Sequence, residues 1–332
     1  MTQRSEDERF MAAAIRLSRT HLGLTSTNPS VGCLVVKDGV VIGRGVTAVG
    51  GRPHAEPQAL AEAGEAARGA TAYVTLEPCS HYGKTPPCAE ALIAYGVARV
   101  VISVTDPDQR VSGRGIKMLR DAGIEVDTGI LEEEGRRSLA GYLMRQTRNR
   151  PYVTLKLAIS ADGMIGRTGE GQVRITGDIA RAQVQMLRAE SDAILVGIGT
   201  AIADDPELTC RLPGLEDRSP LRVVIDEDLQ LPLGSKLVRT ARQYPVIAVA
   251  GHPPPFDENT DSAFLGRRAA LDAAGVEVLQ SNSGEPGELL EALGTRGISS
   301  LLVEGGAKTA RHFLDADLVD RILLFPGPAD IG

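Results

Sequence analysis

The feature that most constrains this chain is a set of four residues spread over positions 54–88: His54-Ala55-Glu56, then Pro78-Cys79, then Cys88. One imidazole and two thiols can hold a metal ion only if three separate backbone segments bring them together. Zinc bound by one His and two Cys keeps a fourth tetrahedral position for water and brings the pKa of that water towards about 7. Glu56 is too close in sequence to His54 to be assumed a fourth ligand. In the H-x-E…P-C…C pattern that Glu is the proton shuttle of zinc-dependent base deamination. The pattern therefore points to a hydrolytic deaminase. The competing reading is two structural thiols, or a disulfide, near a surface His. A structural zinc site would want four protein ligands, and none is evident among Cys33, His81 and Glu77, although His81, lying between the thiols, is the rival ligand.

Composition narrows the partners. The 332 residues suggest two domains. A formal charge of -7 and a pI near 5.4 leave no footprint for wrapping a nucleic-acid backbone, so a small anionic substrate fits better and no nucleic-acid partner is expected. No run approaches the roughly 20 apolar residues of a membrane span, and the N-terminus lacks the apolar stretch of a signal peptide. Neither a membrane partner nor a secreted setting is expected. Two of the four cysteines lie in the metal-like cluster, which makes a reducing cytoplasm the default, with Cys33 and Cys210 as buried small side chains.

The first half alternates strand and helix signals. Residues 8–19 have helical spacing, and 31–46 reads as two strands joined at Asp38-Gly39, a two-residue hairpin signal. Pro57, tolerated only in a first turn, places a helix start at about residue 55. Strands follow at 71–77, 99–104 and 124–129, with helices starting at Cys88 and near 113, and Gly96 able to end the former. This is a three-layer α/β pattern. It puts His54 and Cys88 at helix starts and Cys79 just past a strand, where free N–H groups favour anionic ligands. Residues 130–150 are charged and helical, Pro151 follows, and the boundary divides the chain into domains 1–147 and 148–332. The second series has strands at 152–160, 192–197, 221–226, 245–250, 276–280, about 299–303 and 319–325, and helices at 178–190 and 262–274. Gly275 suits the end of the latter, and 251–260 reads as a loop. Glu304-Gly305-Gly306 leads from a strand into AKTARHFL, whose free N–H groups could receive a phosphate. Gly197-Ile198-Gly199 lacks the third glycine of the dinucleotide fingerprint.

The segment from Pro78 to Cys88, PCSHYGKTPPC, closely resembles the bifunctional riboflavin-biosynthesis deaminase/reductase family called RibD or RibG, as do Asn28-Pro29-Ser30-Val31-Gly32-Cys33 and Asp106-Pro107-Asp108. The second half is similar to the reductase domain of that family over Leu155-Lys156-Leu157-Ala158, Gly199-Thr200-Ala201, Ala203-Asp204-Asp205-Pro206 and Val303-Glu304-Gly305-Gly306. The resemblance implies a cytidine-deaminase-like three-layer domain followed by a dihydrofolate-reductase-like α/β domain. It implies zinc-dependent deamination of 2,5-diamino-6-ribosylamino-4(3H)-pyrimidinone 5′-phosphate, then NADPH-dependent reduction of the ribosyl group to ribityl.

By the same resemblance Asn28 and Lys84 meet the first substrate, and Lys156, Arg188, Leu208, Arg211 and Glu304 the second. NADPH would lie near Ala158, Arg174, Thr200, Asp204, Gly306, Ala307, Lys308 and Thr309. A homo-oligomer is expected. The chain departs from the family pattern at Thr47, where many relatives carry His, and at Arg174, near where many carry Trp. It also stops at Gly332 where relatives continue through further strands, so a shortened C-terminal end is expected. The alternatives are a nucleic-acid base deaminase, or a deaminase fused to a silent binding or dimerisation module.

Overall fold

A computed structural model describes residues 2–83, 85–108, 111–167, 173–251, 258–281 and 285–332. Lys84, Gln172 and most of the Pro-rich loop segment at 251–260 lie outside the described residues. The chain separates into two compact units, Met1–Arg148 and Asn149–Gly332.

In the first unit, strands β1 (Gly32–Lys37), β2 (Val40–Val46), β3 (Thr71–Leu76), β4 (Arg99–Val104) and β5 (Glu125–Thr128) form one sheet in the order β2-β1-β3-β4-β5. The first two make the expected hairpin. Asp38 and Gly39 have φ of 51° and 75°, the left-handed conformations that this two-residue turn requires. Strand β3 runs antiparallel to β1, and β3, β4 and β5 are parallel. Side chains alternate across the sheet. Cys33, Val35, Val74, Val100 and Ile102 face a core shared with Leu60, Leu92 and Leu119. Leu34, Val36, Tyr73 and Val101 face Phe10, Met11, Ala14 and Ile15 of the helix Gln3–Ser18. Both faces are covered, giving the three layers.

That helix begins five residues before the apolar spacing suggests, because the Thr2 side chain accepts a hydrogen bond from Ser5 N and caps the otherwise polar first turn. Arg99, the first residue of β4, fastens it to the sheet through both oxygens of buried Asp7, each at 2.8 Å. Residues 130–150 are helical as read, in two pieces, Glu132–Ser138 and Ala140–Arg148.

The second unit holds seven strands: β6 (Tyr152–Ile159), β7 (Ala193–Gly197), β8 (Leu221–Ile225), β9 (Val246–Ala250), β10 (Glu277–Gln280), β11 (Ser300–Val303) and β12 (Arg321–Pro326). Their order is β10-β9-β8-β7-β11-β6-β12, and neighbours pair in parallel. Ile194, Val196, Val224 and Ala248 pack on one side, and Ala193, Leu195, Val223 and Ile247 on the other. The helices Ile198–Asp204 and Pro286–Thr295 were not anticipated from sequence.

Two glycines of β2 hold the helix Ala55–Ala63 close to the sheet. A β-carbon on Gly45 would overlap Ala55 O, and one on Gly43 would overlap Ala59 O. Backbone cannot yield there as a flexible side chain could. Gly45→Ala is therefore expected to cost about 3 kcal/mol through overpacking and to loosen metal binding by the helix start. Thermal unfolding and zinc titration of the variant check this; a wild-type melting temperature would contradict it.

Candidate metal and catalytic sites

His54 occupies the N-cap position of the helix Ala55–Ala63, and Glu56 lies in its first turn. Cys79 follows the end of β3 by three residues, and Cys88 is the first residue of the helix Cys88–Tyr95. These placements bring the donors together. His54 Nδ1 lies 3.3 Å from Cys88 Sγ and 3.7 Å from Cys79 Sγ, and one ligand atom from each residue falls within 4.8 Å of the others. A tetrahedral zinc with Zn–N near 2.1 Å and Zn–S near 2.3 Å needs an N to S edge of about 3.6 Å. The three donors fit that ion. His81 and Cys33 do not join the cluster, and Glu77 is occupied elsewhere: its carboxylate accepts from the backbone N–H groups of Asp106, Gly113 and Ile116.

The protonation pattern is that of a ligand set holding shared protons. The Cys79 thiol is drawn down to about 4, first by the hydrogen bond from Cys88 and then by His54, while Cys88 is pushed up by the bond it gives to Cys79. A metal would displace those protons. Burial raises the Glu56 carboxyl to about 7, with the negative charge of Cys79 adding to the effect and His54 opposing it.

A cavity of about 760 Å³ opens onto this cluster and gathers Asn28, Thr47, His54, Glu56, Cys79 and His81. Asn28 is set by its surroundings. Its backbone oxygen accepts from Thr25 Oγ1 at 2.7 Å, and a β-carbon on Gly51, whose φ is 90°, would strike the Asn28 amide nitrogen. Thr47 Oγ1 accepts a hydrogen bond from Val31 N at 3.0 Å, and the residue is 1% exposed. The departure at this position thus closes a backbone hydrogen bond. Sequence reading did not single out Arg52, Tyr142 or the acid at Asp106 as lining residues. Tyr142 donates to both Asp106 oxygens, 3.1 Å each, and burial raises the Asp106 carboxyl to about 6. The Asp106-Pro107-Asp108 turn just past β4 was the signal available for the last.

The second unit has its own cavity, about 400 Å³, at the carboxyl ends of β6, β7 and β11, where the strand order changes direction and α/β sheets bind ligands. It collects Lys156, Ala158, Arg188, Thr200, Asp204, Leu208, Glu304, Gly306 and Ala307. Arg174, Arg211, Lys308 and Thr309 are not in its lining. Arg174 pairs with Asp178 and Arg211 with Glu207 on the surface, whereas Thr309 is buried against Gly197 and Gly305. Arg167 and Gly199 line the cavity without having been singled out as site residues. Gly306 N donates to Thr200 Oγ1 at 3.1 Å, which fixes the entry to the helix Ala307–Asp315.

Arg188 grips Glu304 with two hydrogen bonds of 2.8 and 3.0 Å and gives a third to Thr209 O. Burial disfavours the Glu304 carboxylate, but Arg188 outweighs it and holds the pKa below the usual value. Burial also lowers the Lys156 ammonium, against the pull of Glu304. Breaking one side of a buried pair strands the other charge. Arg188→Met is expected to destabilise the second unit by about 3 to 5 kcal/mol, with most of it recovered when Glu304→Leu is added. Denaturant unfolding of both variants checks this; an additive loss in the double variant would contradict it.

The fold and the cluster define a zinc-type deaminase unit joined to an α/β reductase-type unit, and comparisons with known proteins agree. Residues 4–104 match the cytidine and deoxycytidylate deaminase zinc-binding region, and 151–332 match the RibD C-terminal domain. The chain belongs to the RibD family. It is 40% identical to the riboflavin biosynthesis protein RibD of Aquifex aeolicus over 99% of its own length and 89% of that protein. For RibD of Escherichia coli K12 the figures are 38%, 98% and 89%. Acinetobacter baumannii RibD superposes with a TM-score of 0.87 at 38% identity, covering 99% of this chain and 89% of that one. The diaminohydroxyphosphoribosylaminopyrimidine deaminase/5-amino-6-(5-phosphoribosylamino)uracil reductase of Thermotoga maritima gives 0.86 at 36% identity, covering 100% and 89%.

Proposed function

We propose that this chain carries out two successive steps of riboflavin biosynthesis. The first unit deaminates 2,5-diamino-6-ribosylamino-4(3H)-pyrimidinone 5′-phosphate, and the second reduces the ribosyl group of 5-amino-6-(5-phosphoribosylamino)uracil to ribityl. The observation that carries the reading is the convergence of His54, Cys79 and Cys88 beside Glu56 in a large cavity, in a chain of the RibD family.

His54, Cys79 and Cys88 are the residues that would hold zinc, leaving one coordination position for water. Zinc there supplies a Lewis acid that makes water nucleophilic near neutral pH. Glu56, buried and two residues past His54, carries the proton from the attacking water to the departing ammonia. Asn28 orients the pyrimidine. Lys84, by the family resemblance, meets its phosphate.

In the second unit the glycines favour a dinucleotide. Nothing lies within 4 Å of where a Gly199 β-carbon would stand, and Gly306 opens the helix Ala307–Asp315. Ala158, Thr200, Asp204, Gly306 and Ala307 would hold NADPH, which supplies hydride. Lys308 and Thr309 continue the same helix start, whereas Arg174 stays paired with Asp178. Glu304, held by Arg188, and Lys156 orient the ribose, while Leu208 bounds the sugar-phosphate end. A second cavity with this chemistry favours an active second unit over a silent module.

A cytoplasmic setting belongs to the same reading, since Cys79 and Cys88 must stay reduced and all four cysteines are free. Self-association does too: β12 is an edge strand with Ile322 and Leu324 half exposed.

One assay tests the reading. Purified protein is given the diaminopyrimidine ribotide with and without NADPH, and with and without chelator. Ammonia release without NADPH, its loss on chelation, and NADPH oxidation that survives chelation when the aminouracil ribotide is supplied are the expected results. Ammonia without any NADPH oxidation would overturn the bifunctional reading. Glu56→Gln is expected to keep zinc but lose about 10²- to 10⁴-fold in deamination rate; a variant with wild-type turnover would remove Glu56 from its role.

A further inference from the structure

We propose that Arg52 is a specificity-determining residue of the first unit, binding the 5′-phosphate of the ribotide so that the cavity prefers phosphorylated over dephosphorylated pyrimidine ribosides. The proposal rests on the deaminase reading and adds a residue to it.

The charge on the cavity wall poses the problem. Glu56, Glu77, Asp106 and Asp108 all line the space, an unfavourable surrounding for a phosphate carrying close to two negative charges. Among the described residues, the arginines on that lining are Arg52 and Arg145. Arg145 reaches across to Thr27 O, 2.5 Å away, and so braces the wall that carries Asn28. Arg52 is placed differently. Among the described residues it gives one hydrogen bond, from Nη1 to Thr85 Oγ1 at 2.6 Å, and pairs with no carboxylate. Its Nη2 stands over Gly83, where a β-carbon would come within 3.3 Å. The guanidinium therefore lies beside Gly83 and Thr85, in the stretch between the two cysteine ligands, and lines the cavity with most of its five N–H donors uncommitted among the described residues. A planar fork with free donors suits a phosphate, to which it can give two parallel hydrogen bonds.

Its position relative to the chemistry is also constrained. Arg52 precedes His54 by two residues, with Pro53 between, and follows Gly51, which is buried against Asn28. Thr85 precedes Cys88 by three. The cation is thus tied to both segments that deliver metal ligands. A ring amine next to the metal cluster and a phosphate on Arg52 would occupy one cavity of about 760 Å³, ample for a ribotide.

The rival role is a strut: the Arg52–Thr85 bond could do no more than hold the two segments together. The two roles differ in what they discriminate. A strut affects every substrate alike, whereas a phosphate ligand acts only on substrates that carry phosphate. The test compares wild type, Arg52→Met and Arg52→Lys on the diaminopyrimidine ribotide and on the riboside made from it by phosphatase, with zinc content measured to confirm an intact cluster. The ribotide-over-riboside ratio in kcat/KM is expected to fall about 10- to 100-fold in Arg52→Met, mainly through KM, and to recover in part in Arg52→Lys. Equal losses on both compounds, or an unchanged ratio, would overturn the proposal. Should wild type release ammonia from neither, the deaminase reading fails separately, and equilibrium binding decides: ribotide binding weakened selectively by Arg52→Met supports the phosphate role, and unchanged or equally weakened binding rejects it.

Discussion

Much of the first unit is organised by the need to bring one imidazole and two thiols to one point without a covalent link between them. Three backbone devices satisfy it. A helix starting at Ala55 lies tight on the sheet because Gly43 and Gly45 of β2 have no side chains to hold it off. Strand β3 runs into Pro78-Cys79, and Pro87 sets the next helix so that Cys88 N points at Cys79 Sγ, 3.2 Å away. Around this, the Glu77 carboxylate gathers three backbone N–H groups and holds the turn beyond β4 that carries Asp106. Residues that touch neither ligand nor substrate thus decide whether the donors converge.

The second unit answers a different requirement. Its parallel sheet buries apolar side chains on both faces and leaves the strand ends to make a polar cavity. The Arg188–Glu304 pair is nearly out of water there, so its value lies in holding Glu304 ionised and aimed more than in stability. Arg222 of β8 is fully buried with no acidic partner among the described residues, donating instead to Glu207 O, Leu237 O, Tyr244 O and Thr240 Oγ1. One of those acceptors directly precedes Leu208, whose φ is 57°. A buried charge therefore holds the backbone next to Leu208, a residue of the cavity lining.

Local signals were legible where one residue type has one conformational use. Asp38-Gly39 marked a hairpin, Pro57 a first turn, and Gly96 and Gly275 helix ends; all four occur as read. Metal-binding residue types at recognisable spacing marked the cluster for the same reason. Less legible were features that depend on contact across the fold. The helix Pro286–Thr295 carries its own Pro start, but its apolar residues find their partners in strands far away in sequence. Arg222 reads as one polar residue in an apolar strand, and nothing local says that four oxygens await it. Arg174 and Arg211 show the converse: a charged side chain near the right segment turns to the nearest carboxylate on the surface instead of into the cavity.

The central claim is that His54, Cys79 and Cys88 together form a three-residue zinc site with one open position. X-ray absorption at the zinc edge of the loaded protein measures this directly. The account predicts two sulfur ligands at about 2.3 Å and a single imidazole nitrogen at about 2.1 Å, with the remaining coordination made by a light atom. A second imidazole, which would bring in His81, or a shell with fewer than two sulfurs, would contradict it.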